Sequence, residues 1–146
     1  MTSNAERAAI LGRSLRARFE GDRAALAEVY TDDVRVWTPA LSAASMDELL
    51  VEFDRQDDAF SDVAIEVAPL DVGGEYACAE WIVSMTHSGP LEVAEGRVID
   101  ATGTRVVLNG VTVAEFSGDR ICSLRQYWDE FAIFDQLGLA QAGRDA

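Results

Sequence analysis

Lysine is absent: every one of the 12 basic residues is arginine, against 26 acidic ones. A Schiff-base mechanism therefore has no amine except the N-terminus. A single histidine, His87, excludes a cluster of His ligands for zinc within one chain. The two cysteines, Cys78 and Cys122, lie far apart and form no metal motif. Neither G-x-x-x-x-G-K-S/T nor G-x-G-x-x-G occurs, so the phosphate-binding loops of nucleotide proteins have no signature here. No metal and no cofactor is expected. No apolar run approaches the ~20 residues that span a bilayer, and the N-terminal MTSNAERAAILGR has no signal-peptide pattern. A soluble, cytoplasmic protein without a membrane partner is expected.

What is present narrows the choice further. At 146 residues and 49% hydrophobic, the chain suits one domain, expected over residues 1–146, with a substantial core. Its net charge of -14 repels phosphate backbones, which argues against nucleic acid as a partner. The acidic residues are scattered, as on a solvated surface. Acid–base chemistry in a pocket, or plain binding of a small hydrophobic molecule, fits what remains.

Periodicity divides the chain into a helical first part and a strand-rich second part. Ala8, Leu11, Leu15 and Phe19 recur at helical spacing, which predicts a helix over 4–19 ended by Gly21. A short second helix would carry Leu26, Val29 and Tyr30 on one face. Val34 to Trp37 alternates as a strand stopped by Pro39. Ser45 and Glu48 form a capping box opening a helix with Leu49, Leu50 and Phe53. Strands follow: around Ile65 and Val67, then 76–87, 105–116 and 120–128, with a hairpin turn at Ser117-Gly118-Asp119. Residues 91–104 are ambiguous, a short strand and a loop. Gly110 inside a strand fits a bend, and Asp129 opens a short helix ending near Gly138. Helices first and antiparallel strands second give an α+β class with helices against one face of a curved sheet.

Four stretches carry a family resemblance: FEGDRAALAEVYTDDVRVWTP, THSGPL, GVTVAEFSGDRI and RQYWDEFAIFDQLGL. They resemble the SnoaL-like polyketide cyclases, a branch of the nuclear transport factor 2-like superfamily, over roughly residues 5–139. The closing YWD…QLGL is the most specific part. One departure stands out: similar cyclases carry I-P-P-T-G where this chain has Ile99-Asp100-Ala101-Thr102-Gly103. The resemblance implies a cone-shaped fold, with N-terminal helices in the concave face of a mostly antiparallel sheet. It also implies a homodimer through the outer face of that sheet.

Strand parity on such a cone turns Trp81, Val83, Met85 and His87 inward on one strand. Gly110, Thr112 and Ala114 follow on the next, and Leu124, Gln126 and Trp128 on the last. Val36 and Thr38 join them from the first strand. The same parity turns Cys78 outward and Cys122 inward, which disfavours a disulfide. Trp37, Trp81, Tyr127 and Trp128 are the aromatic set expected around the pocket mouth. Asp32 and Asp33 read as turn residues, and Glu80 as outward.

The resemblance places a catalytic aspartate at Asp129. In that chemistry the aspartate removes a proton beside a carbonyl, and the enolate closes a ring by aldol attack. Asp129 equally reads as a helix N-cap. His87, the only imidazole, would assist as donor or proton shuttle, or else sit structurally at a strand end. A pericyclic closure enforced by pocket shape needs neither residue. The expected function is cofactor-independent cyclisation of a polyketide-like molecule, in the setting of antibiotic and other natural-product biosynthesis. Two alternatives stay open: an epoxide hydrolase of the limonene type, in which Arg125 and Asp129 would belong to an Asp–Arg–Asp set, and a non-catalytic binder. Ketosteroid isomerase activity is excluded, because its tyrosine, base and acid positions fall at Ser14, Thr38 and Thr112. Ser14 is left as a pocket contact.

Overall fold

The structure is a computed structural model describing residues 2–93 and 96–139. The expected 1–146 unit therefore includes positions outside the described residues, as does part of the ambiguous 91–104 stretch.

Two helices open the chain, α1 (Asn4–Glu20) and α2 (Arg23–Val29). Ser3 caps α1 by accepting the Glu6 amide, and Gly21 ends it with a left-handed φ of 72°. Asp22 caps α2 through the Ala25 amide at 3.1 Å. Tyr30 then starts β1 (Tyr30–Trp37), so it belongs to the strand and not to the α2 face. Asp32 and Asp33 also lie inside β1, exposed beside a register shift, and not in a turn before it.

After the short β2 (Ser42–Ala43), α3 (Met46–Ala59) starts at the expected capping box. Ser45 accepts the Glu48 amide at 3.2 Å, while Glu48 reaches back to the amide of Ala44 at 2.7 Å. The long strands follow: β3 (Phe60–Leu70), β4 (Tyr76–His87), β7 (Arg105–Ser117) and β8 (Arg120–Trp128). Between β4 and β7 a small hairpin, β5 (Leu91–Glu92) with β6 (Val98–Ile99), occupies the ambiguous stretch. The last element is α4 (Glu130–Gln136).

Six strands form one sheet in the order β2-β1-β8-β7-β4-β3. β1 runs parallel to β8, and every other neighbouring pair is antiparallel. The helices pack against one face, α1 on β3 and β4 and α3 on β1. Alternation of buried and exposed residues is regular along β4, and Trp81, Val83, Met85 and His87 are all buried. Along β8 it breaks. A bulge pairs Glu115 with Ser123 and Phe116 with Ile121, so Ile121 takes the inward position. Cys122, expected inward, is instead half-buried, and its thiol donates to the Glu115 carbonyl. Both cysteines are free thiols, and burial raises both above their ordinary range.

Gly110 has a packing reason more than a bending one. It pairs with Trp81 on β4 and with Trp128 on β8, so the three residues form one row across the sheet. A Cβ at Gly110 would stand 2.3 Å from Cζ2 of Trp81. Only hydrogen there lets the indole lie over the strand. Gly110→Ala is expected to destabilise the protein by about 1–3 kcal/mol, the cost of overpacking. A urea melt should show a lowered midpoint with an unchanged slope.

Candidate functional site

Between the helices and the concave sheet lies a cavity of about 570 Å³ with a largely apolar wall. β4 supplies Trp81, Val83 and Met85, and β8 supplies Leu124, Gln126 and Trp128. β1 contributes Val36, Thr38 follows it, and α1 presents Ser14. These are residues that parity, or the fold resemblance in the case of Ser14, turned inward. Val83 and Leu124 are pure apolar wall.

Several expected residues stand elsewhere. Thr112 and Ala114 are fully buried behind the wall and outside the lining. Thr112 is a junction: its Oγ1 accepts the Trp81 indole N–H at 2.9 Å and the Gln126 amide at 3.1 Å. Gln126 is thereby oriented at the cavity wall. Thr38 spends its hydroxyl oxygen on the amides of Ala40 and Leu41, holding the turn after β1.

His87 is completely buried and also outside the lining. The Thr102 amide donates to its Nδ1 at 3.3 Å, and the Thr102 hydroxyl lies 2.9 Å from the same nitrogen. An Nδ1 that accepts leaves the ring proton on Nε2, which is buried without a partner among the described residues. Thr102 belongs to the segment that departs from the family's proline-rich loop, so that segment anchors the imidazole. Its ring packs on Phe60, with centroids 5.6 Å apart.

The aromatic set divides between two faces. Trp81 and Trp128 meet edge to face in the cavity, with centroids 6.1 Å apart. Trp37 and Tyr127, expected at the mouth, pair with each other at 5.4 Å and are 47% and 45% exposed. Both follow outward parity, onto the outer face of the sheet.

Asp129 is exposed and lies outside the cavity lining; its carboxylate caps α4 by accepting the Phe131 amide at 3.0 Å. Arg125 is exposed as well. The two therefore form no inward trio of the epoxide-hydrolase kind.

The structure adds residues that sequence reasoning passed over. Arg18 lines the cavity one helical turn after Ser14, a spacing that would have placed it on the buried face of α1. It binds Asp57 at 2.7 Å and Gln56 at 2.9 Å, and its guanidinium stacks 4.0 Å from the centroid of Phe53. Burial lowers it below the usual arginine range, with Asp57 opposing. Asp57 also bridges to Arg23 at 3.3 Å. From α4 come Glu130, Ile133 and Phe134. Gln136 pins that helix by bonding both the N–H and the C=O of Val107, each at 2.8 Å.

An α+β cone enclosing a cavity sized for one small organic molecule is the class that fold and site define. The chain belongs to the SnoaL-like domain family, whose family model matches residues 11–124. Solved structures share the fold at low identity. IdmH from Streptomyces antibioticus, a proposed polyketide cyclase, is 17% identical over 90% of this chain and 98% of its own, with a TM-score of 0.74. TsrD from Streptomyces laurentii is 21% identical over 95% and 99%, with a TM-score of 0.79. An epoxide hydrolase of M. tuberculosis, described as LEH-like, is 14% identical over 98% and 92%, with a TM-score of 0.70. No curated protein matches the chain. Among the described residues no helix is long and apolar enough to cross a membrane, and no group of three or more His, Cys, Asp or Glu side chains is arranged to hold a metal.

Tyr30, a wall residue hydrogen-bonded to Ser14, has its phenol pushed up to about 12 by burial, against the smaller pull of Ser14 and Arg18. A phenol that holds its proton longer when folded costs nothing below its unfolded value. Stability then falls as pH rises from about 10 to about 12. The expected loss is on the order of 2 kcal/mol. Denaturant melts across that window should show it, and Tyr30→Phe should remove it.

Proposed function

We propose that the protein is a cofactor-independent cyclase that closes a ring in a polyketide-like small molecule. The observation that carries this reading is the cavity itself: about 570 Å³, apolar for most of its wall, with two indoles meeting edge to face. Such a wall folds a flexible chain of carbonyls against itself and excludes water. Membership in the SnoaL-like family and structural likeness to a proposed polyketide cyclase support it. Ring closure of this kind rearranges atoms within one molecule, so it needs no redox partner and no group donor. Natural-product biosynthesis is the setting that suits such a substrate.

A linear substrate with alternating carbonyls should quench Trp81 and Trp128 fluorescence on binding and be converted to a cyclic product of equal mass. Val83→Trp should fill the cavity and remove both effects while circular dichroism stays the same. Tight binding without any conversion would instead favour a non-catalytic binder, a reading supported by the engagement of Asp129 in capping.

We also propose a homodimer through the outer sheet face. Trp37, Ile82, Val107 and Tyr127 are exposed there, an apolar surface that two copies would cover. Sedimentation should give a dimer, and Tyr127→Glu a monomer.

A further inference from the structure

Four carboxylates line the cavity: Glu52, Asp57, Glu92 and Glu130. Asp57 is exposed and its oxygens are spent on Arg18 and Arg23. Glu52 pairs with Arg55 at 3.4 Å. Glu92, on the short β5, is exposed. Glu130 is different. It is half-buried, and it is held by a neutral donor, the Trp128 indole N–H, which Oε2 accepts at 2.6 Å.

The geometry of the corner explains why this residue, and not its neighbour, faces the cavity. Alternation along β8 brings Trp128 in and takes Asp129 out. The chain then enters α4, where each residue turns by about 100° and not by half a revolution. That change of phase returns Glu130 to the cavity wall beside the indole.

We propose that Glu130 is the catalytic base of the ring closure, with Trp128 as the residue that positions it. The assignment rests on the cyclisation reading above. The carboxylate takes a proton from a carbon lying between two carbonyls of the bound chain. The C–H electron pair becomes the enolate. The enolate carbon bonds to a second carbonyl carbon, whose π pair moves onto its oxygen. That oxygen recovers the proton from the Glu130 carboxylic acid. The base ends as it began, and no co-reactant is consumed. Because the indole N–H holds one carboxylate oxygen, the other is left to carry the proton.

The test separates proton removal from ring closure. An aryl β-diketone deuterated between its carbonyls reports proton removal as exchange with water above the buffer rate. A longer alternating-carbonyl chain reports ring closure. Glu130→Gln should lose at least about 100-fold in both, the contribution of a positioned base, while probe affinity by tryptophan fluorescence is unchanged. Asp129→Asn, which keeps a capping side chain, should exchange at the wild-type rate. Trp128→Phe should lower kcat more than it raises KM, and Glu130→Asp should restore part of the exchange. Wild-type exchange rates in folded Glu130→Gln, or loss of exchange in folded Asp129→Asn, would overturn the assignment. So would ring closure by the wild-type protein without any exchange, which would leave cyclisation by confinement standing. Exchange without ring closure would sustain Glu130 as a base and overturn the cyclase reading.

Discussion

The Trp81 indole lying over Gly110 organises the rest of the cavity. Three residues in register on three adjacent strands, Trp81, Gly110 and Trp128, form one row, and the missing side chain in the middle lets the two indoles meet. The next row, Ala79, Thr112 and Gln126, is tied to the first because Thr112 accepts the Trp81 N–H. Gln126 shares that hydroxyl, so its amide is oriented by the same bond. Trp128, set against Trp81, turns its own N–H to Glu130. Wall shape and polar chemistry thus trace back to one glycine and one indole.

Much of this was legible from spacing. Long strands with strict alternation revealed their inward residues, and the capping signals at Ser45 and Asp129 predicted where helices start. The exceptions have local causes. The bulge at Cys122 reverses parity for one position, which no period of two can foresee. Trp37 and Tyr127 lay on outward positions, but aromatic character alone drew them toward the pocket. Glu130 was missed because strand logic stops at Asp129, and the first residue of a helix obeys a different period. Arg18 was missed because a charged residue is seldom expected on a buried face, although its spacing from Leu11 and Ser14 placed it there.

Charge is distributed in a way that suits a neutral ligand. The chain carries -14 overall, yet the cations of α1 and α2 and the anions of α3 cancel locally. Asp57 serves both Arg18 and Arg23, and the Phe53 ring covers the Arg18 guanidinium. The exposed Asp57 thus pairs the charge of the buried Arg18, so the guanidinium at the cavity wall is not left uncompensated. Most acidic side chains outside the lining are exposed, on solvated surfaces.

The corner between β8 and α4 divides duties among adjacent residues. A side chain that caps a helix has its oxygen committed to a backbone amide, and moving it to a substrate would expose that amide at a cost of about 1 kcal/mol. Asp129 does this work, which leaves Glu130 free of it. The phase of α4 must then be held, because a small rotation would carry Glu130 off the wall. β8 pairs with β7 only as far as Gly110, so beyond it Val107 has an N–H and a C=O with no strand beside them. The Gln136 amide fills that place, donating to one and accepting from the other. The helix that carries the carboxylate is thereby registered against the same strand whose glycine admits the indole, and the spacing between them is set by the backbone of β7.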